Sequence, residues 1–194
     1  METRPIRKRK PRRLPGWLTE ADRRTLLARP SRRYPTGIRN RAIMATMLLA
    51  GLRCAETLDL KPRDVRLKES IIRVRAGKGD KDREVPIAAT LEEYLYDWQR
   101  VRPPGPFFFS TLKGGRLLES YVRRMVKRYG LKAGLEQDVH PHLLRHTCAS
   151  SWLNEEPRLS SKEVQQLLGH SRLATTELYL HVNPAEIKAK LRRR

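Results

Sequence analysis

All five histidines of this 194-residue chain (140, 142, 146, 170 and 181) fall in its last 55 residues. The densest run is His140-Pro-His142-Leu-Leu-Arg145-His146. On a helix beginning near His142, residues 142, 145 and 146 share one face, at spacings of three and four. An arginine on such a face favours a phosphate, which its planar guanidinium grips through two parallel hydrogen bonds. Two histidines at that spacing also fit a metal ion. No carboxylate or cysteine ligand lies nearby, however, and Arg145 repels a cation, so no metal is expected. A plainer reading makes His146, and less so His142, a histidine that caps a helix or satisfies a core.

One arginine cannot hold a phosphodiester through a crowded transition state, because the equatorial oxygens need donors from more than one direction. A second candidate is Arg53, in Gly51-Leu-Arg53-Cys-Ala-Glu56, with Glu56 one helical turn on to orient it. The same pair also reads as a routine surface ion pair worth a few tenths of a kcal/mol. Lys78, in the turn-like Gly77-Lys-Gly-Asp-Lys81, can reach into a groove and protonate a leaving alkoxide. Lys81 beside it is the competing choice, and both also suit plain phosphate contact. The last piece runs from Leu167-Leu-Gly-His170 to Tyr179. A tyrosine hydroxyl attacks phosphorus when two arginines and a histidine lower the cost of its anion. Taken singly, Tyr179 is one of six tyrosines and reads as a core residue.

The elements that must position these groups are predicted as follows. Thr19-Glu-Ala-Asp22 has the capping-box pattern and opens a short helix. A second helix is predicted over about Asn40–Ala50, stopping at Gly51, and a third over Cys54–Leu60, ending before Pro62. The period then changes. Ser70–Arg75 and Arg83–Ile87 are strand-like, with turn chemistry at Gly77–Lys81 between them, so a hairpin carries lysines at its tip. Helices near Thr90–Val101 and Ser120–Ala133 flank a break at Pro103-Pro-Gly-Pro106 and the apolar Phe107–Phe109. His142–Leu153 reads as helical, Ser160-Ser-Lys-Glu163 is another capping box, and Glu163–Leu168 stops at Gly169. A last helix is predicted over about Leu173–Val182. The expected fold is mainly α with a small antiparallel β-hairpin or sheet, an α+β domain without internal repeats.

Lysine and arginine number 42 against 21 acidic residues, a net charge of +21. A field of that sign attracts polyanions, nucleic acid first. Residues 1–16 hold seven basic residues against one acidic, with three prolines interspersed, and read as a flexible arm. Its Arg7, Lys8, Arg9, Lys10, Arg12 and Arg13, together with Lys81, are expected to contact phosphates. The first 41 residues carry +11, and the last eleven, Pro184 to Arg194, carry +4. The expected division is therefore an arm at 1–16, one domain at 17–183 and a basic tail at 184–194. Cys54 and Cys148 lie 94 residues apart without CxxC spacing, against a disulfide scaffold or zinc finger and in keeping with a reducing cytoplasm. The longest apolar stretch, Ala42–Leu52, is eleven residues, short of the ~20 that cross a bilayer. No apolar segment follows the basic N-terminus as in a signal peptide. A cytoplasmic protein without a membrane partner is expected.

Four pieces now stand in order. Gly51-Leu-Arg53-Cys-Ala-Glu56, Gly77-Lys78-Gly79, His142-Leu-Leu-Arg145-His146, and Leu168-Gly169-His170 with Tyr179 nine residues on resemble the motif set of tyrosine recombinases. This is the phage integrase family, with Xer-like enzymes as relatives, and the likeness covers roughly residues 17–185. It implies the fold of a DNA breaking–rejoining catalytic domain. It implies that Arg53 and Arg145 clamp the scissile phosphate and that Glu56 supports Arg53. His142 then shares acid–base work and phosphate binding, Lys78 protonates the 5′-hydroxyl leaving group, His170 hydrogen-bonds the phosphate, and Tyr179 is the nucleophile. The implied reaction is metal-free transesterification through a 3′-phosphotyrosyl link, with no ATP and no cofactor. The implied partners are double-stranded DNA with a specific, inverted-repeat site and further copies of the chain, as a tetramer on paired sites. Family tails often dock on a neighbouring subunit, and Ile187 and Leu191 suit that role.

One departure stands out. Family members typically carry a helical core-binding domain of about a hundred residues ahead of the catalytic one, and here a basic stretch of some 16 residues stands in that place. A compact recombinase like the fimbrial-switch inverters and a fragment both fit, and Met1 favours the naturally short protein. Two further functions compete: a type IB topoisomerase-like DNA relaxer, and a non-catalytic or regulatory DNA-binding protein of the same fold. The second has no need of Lys78 or Tyr179.

Overall fold

Thr19 opens the first helix in the way its sequence pattern predicts. Its hydroxyl accepts the Asp22 N–H at 3.2 Å, and the Asp22 carboxylate accepts the Thr19 N–H at 3.0 Å. The computed structural model describes residues 16–75, 82–169 and 184–192. Among them, α1 spans Glu20–Ala28, α2 Pro35–Leu49 and α3 Cys54–Asp59. The strands follow: β1 Val65–Arg66, β2 Ile71–Val74 and β3 Arg83–Pro86. Then come α4 Ala89–Val101, α5 Glu119–Lys132, α6 Pro141–Asn154, α7 Ser161–Leu168 and α8 Pro184–Arg192. The mainly helical α+β architecture is the expected one.

The helix expected over about Leu173–Val182 lies outside the described residues, and within them two details differ from expectation. Helix α2 starts at Pro35, five residues before the predicted Asn40. Pro35 sits at the first helical position, where its fixed φ fits and its missing N–H costs nothing. The polar Pro-Thr-Gly opening disguises that start as a turn. The hairpin, in turn, is part of a three-stranded antiparallel sheet of order β1-β2-β3. Two residues of β1 are too few to show an alternation in sequence. Ile72 lies opposite Val85 and Val74 opposite Arg83, so Ile72, Val74 and Val85 face the core. Pro86 is accommodated because β3 is an edge strand.

The larger core gathers α1, α2, the sheet, α4, α5 and the start of α6, with α2 packed on α4 and α6. Leu91, Leu95 and Trp98 form one buried stripe of α4. The Trp98 indole satisfies its N–H on the Phe108 carbonyl at 2.8 Å. A second, smaller cluster joins the end of α6 to α7 and α8 through Cys148, Trp152, Leu159, Val164, Leu167, Leu168 and Leu191. Helix α8 belongs to the segment expected as a tail, and it packs on its own chain. Lys190 pairs with Glu163 at 2.9 Å, and Arg192 reaches the Ser70 hydroxyl at 2.8 Å and the Glu92 carboxylate. No described helix is long and apolar enough to cross a membrane.

Candidate active site

The chain leaves α2 through Gly51, whose φ of +65° belongs to the left-handed region. A Cβ there would meet Leu168 Cδ2 at 2.8 Å, so the turn can lie against the end of α7 only without a side chain. Two residues later Arg53 caps α3. The Glu56 carboxylate accepts the Arg53 backbone N–H at 2.7 Å through one oxygen and its Nη1 at 2.7 Å through the other. One acid thus closes the helix end and fixes the guanidinium, which stays half exposed.

Arg145, one turn into α6, is buried at 6 % exposure. Its Nη1 donates to the Gly51 carbonyl at 2.6 Å and its Nη2 to the Leu168 carbonyl at 2.7 Å. Glu56 lies 3.7 Å from the same Nη1. Burial, and then the Arg53 charge, lower its pKa to about 10 against the pull of Glu56. It remains a cation at neutral pH.

A third guanidinium completes the cluster. Arg83, the first residue of β3, grips Glu56 with Nη1 at 3.1 Å and Nη2 at 2.8 Å, and gives Nε to the Leu167 carbonyl at 2.7 Å. Burial alone would raise the Glu56 carboxyl. The Arg83 hydrogen bonds and the Arg53 N–H outweigh it and hold Glu56 below the usual carboxylate range. Three guanidiniums around one carboxylate leave two positive charges unneutralised in a partly dry place, which favours an entering anion.

The same three arginines serve the end of α7. Helix C-termini leave carbonyls without partners. Here Leu167, Leu168 and Gly169 offer theirs to Arg83, Arg145 and Arg53, the last at 3.4 Å. Gly169 takes a φ of +64°, and a Cβ on it would meet Arg83 Nη1 at 2.9 Å. The chain therefore enters the His170–Tyr179 segment directly beside Arg53.

A cleft of about 540 Å³ opens from Arg53 and Arg145 toward α5, which contributes Arg123, Arg124 and Lys127. His140 and His142 form its other wall. His140 caps α6, its Nδ1 accepting the Leu143 N–H at 3.2 Å, and its ring stacks parallel to His142 at 6.4 Å between centroids. The positive end of α6 thus faces the cleft. Cys54 also lines it, but burial, then the Glu119 charge, push its thiol up to about 11, so it is no nucleophile at neutral pH.

Among the sequence-predicted residues, the structure brings Arg53, Glu56 and Arg145 together and sets His142 on the same cleft. His146, half-buried, is not among the residues that line the cleft, whereas His142 and Arg145 are. Lys78, Lys81, His170, Tyr179 and the arm residues Arg7, Lys8, Arg9, Lys10, Arg12 and Arg13 lie outside the described residues. The base of the hairpin that bears Lys78 is held by Arg75 on the buried Asp64 at 2.7 Å and by Arg73 on Asp82 at 2.9 Å. Arg83 is the residue that sequence reasoning misses. A charged residue at the mouth of a strand is unremarkable, and its partners are far along the chain.

The sequence pattern of the phage integrase family matches residues 16–186. The tyrosine recombinase XerD of Ralstonia nicotianae is 36% identical over 181 residues, 90% of this chain and 58% of that protein. The crystal structure of XerA recombinase superposes with a TM-score of 0.74 at 32% identity, covering 94% of this chain and 64% of the other. The XerH site-specific recombinase bound to its difH substrate, in a pre-cleavage complex, gives 0.66 at 28% identity over 80% of this chain and 47% of that one. The chain spans less than two thirds of each.

Proposed function

The chain belongs to the phage integrase family, and from that premise we propose that it is the catalytic part of a site-specific tyrosine recombinase, cutting and rejoining duplex DNA. The observation that carries this reading is the arrangement of Arg53 and Arg145. Two guanidiniums from different helices are oriented around one ionised Glu56, at the mouth of a basic cleft, beside the start of the His170–Tyr179 segment.

In this reading the scissile phosphate sits between Arg53 and Arg145, whose donors neutralise the charge that grows on its equatorial oxygens. His142 and His170 add hydrogen bonds. The Tyr179 oxygen attacks phosphorus as the P–O5′ bond breaks; His142 takes up the proton that the hydroxyl loses, and Lys78 gives the departing 5′-oxygen its proton. The product is a 3′-phosphotyrosyl link and a free 5′-hydroxyl. Attack by a 5′-hydroxyl of a partner strand reverses the step with the bond energy kept. Exchange between two duplexes requires several copies of the chain, so we place it in a tetramer on paired sites. XerH, a relative, is seen on its own DNA substrate, which supports a duplex partner. Residues 1–16 then add phosphate contacts as the missing half of a clamp on the duplex, and the basic tail, whose helix α8 packs against α7, adds positive charge beside the smaller cluster.

The test uses a duplex selected from a randomised pool by the chain's own binding, with a nick that lets the cut fragment escape. A covalent protein–DNA adduct is expected with the parent chain and none with Tyr179→Phe, while the variant still binds. An adduct that persists in Tyr179→Phe overturns the assignment. Binding without any adduct makes the chain a non-catalytic binder, and relaxation of any supercoiled plasmid without strand exchange makes it a relaxer.

A further inference from the structure

We infer that Arg83 is a positioning residue for strand cleavage: by fixing Glu56 and the last turn of α7 at once, it ties the lysine hairpin to both halves of the site. The inference rests on the recombinase reading above.

This side chain joins three described elements that adjoin or carry proposed catalytic residues: strand β3, α3 and the end of α7. Arg83 starts the strand that follows the hairpin tip, so its backbone continues directly from the stretch bearing Lys78 and Lys81. Its two Nη atoms occupy both oxygens of Glu56, the carboxylate that orients Arg53. Its Nε holds the Leu167 carbonyl, two residues before Gly169, where the His170–Tyr179 segment begins.

The fork geometry is what makes this possible. A guanidinium offers planar, diverging donors, so one side chain can satisfy a carboxylate and a helix carbonyl simultaneously. A lysine at the same place keeps the charge but makes point contacts and cannot hold both. Arg83 is largely buried, with its side chain 13% exposed, and it stands behind Glu56 rather than among the residues that line the cleft. It therefore acts through Glu56 and α7, without touching DNA. The close approach has left a mark on the neighbouring chain too, since Gly169 can carry no Cβ without striking Arg83 Nη1 at 2.9 Å.

The removal of Arg83 has a second consequence. Glu56 faces Arg53 and Arg145 as well as Arg83, and among these Arg83 contributes most to keeping it ionised. Without Arg83, Glu56 takes up a proton at higher pH.

The test compares the parent chain with Arg83→Lys and Arg83→Gln on the selected, nicked duplex. Binding is measured by electrophoretic mobility shift and cleavage by the single-turnover rate of adduct formation, across pH 5 to 8. Binding is expected to stay within threefold of the parent in both variants. Cleavage should fall at least tenfold in Arg83→Lys and about a hundredfold in Arg83→Gln. The acid limb of the Arg83→Gln rate profile should move to higher pH, a shift that loss of packing alone does not produce. If Arg83→Gln fails to fold, Arg83→Lys decides. Cleavage within threefold of the parent overturns the inference, as does binding lost in step with cleavage. If the parent itself forms no adduct, the recombinase reading fails first, which separates the two outcomes.

Discussion

The two hydrophobic clusters are built on different terms. The larger one is held by side chains fully withdrawn from water on several elements, Ile43 and Leu48 from α2, Trp98 from α4 and Phe109 from the loop that follows. Such burial is non-directional and sums over many neighbours. The smaller one has Trp152 at its centre and a few aliphatic residues of α6, α7 and α8 around it. Helix α7 has eight residues, too few to stand alone. It is held to the larger unit along a seam where Arg53, Arg83 and Arg145 hydrogen-bond its last carbonyls. The difference teaches where chemistry and architecture coincide. In the larger unit the buried apolar side chains carry the structure. At the seam, the charges that would grip a phosphate also hold a helix in place.

The largest expected effect comes from cutting the seam itself. Arg145→Ala leaves the Gly51 and Leu168 carbonyls buried without donors and removes a phosphate ligand. Cleavage of the selected duplex should fall by at least about 10²–10³-fold. Stability, measured by urea unfolding, should fall by about 3 kcal/mol. Amide hydrogen exchange should quicken in α7 and α8 before it does in α2. Equal acceleration in α2 and α7 would show that the two clusters form one cooperative unit.

A second comparison pits one tryptophan against the other. Trp98→Ala and Trp152→Ala each empty a large buried volume, at a cost of about 3–5 kcal/mol where the surroundings do not collapse. Trp98→Ala should lower protection throughout the chain. Trp152→Ala should lower it in the end of α6, α7 and α8, with α2 and α4 keeping theirs. Global loss in both variants would erase the distinction between clusters.

The same contrast explains what could be read from sequence. Local signals worked where the information is local. Thr19 and Ser160 close capping boxes, and Gly51 and Gly169 stop helices in the left-handed conformation the stop requires. Arg53, Glu56 and Arg145 stand out because their type and short-range spacing suit phosphate chemistry. Arg83 is silent because its partners, Glu56 and Leu167, lie 27 and 84 residues away, and no periodicity spans that distance. Strand β1 is silent because two residues carry no pattern, and its pairing is decided by β2. The helical spacing of His142, Arg145 and His146 is real, yet it does not say that His142 and Arg145 line the cleft and His146 does not.

Acid should open the seam by a smaller amount. Glu56 is held below its ordinary value of about 4.3 by Arg83 and Arg53 despite burial. A depressed carboxylate contributes stability that is complete above the unfolded pKa and is lost as pH falls through the folded one. Stability should therefore be level in this respect from pH 7 to 5 and decline below about pH 4. Glu56→Gln should start lower and decline less, so the two curves converge in acid. Parallel curves would mean that Glu56 is not what the three arginines depend on.

The smallest effect belongs to the outer edge of the smaller cluster. Lys190 and Glu163 form an ion pair between α8 and α7, with the lysine side chain 38% exposed. Glu163 is buried, but Ser160 keeps its carboxylate hydrogen-bonded and the lysine end is open to water and salt, so the pair is worth about 1 kcal/mol. Lys190→Ala should lower the midpoint of urea unfolding only slightly, and 0.5 M salt should abolish the difference. Leu191, at 1% exposure, is the neighbour that buries α8. Leu191→Ala should free α8 to exchange while α7 remains protected, because α7 has the arginine bonds at its far end. If Lys190→Ala frees α8 as fully as Leu191→Ala does, the hold on α8 is ionic. The smaller cluster would then be fastened by charge at both of its edges.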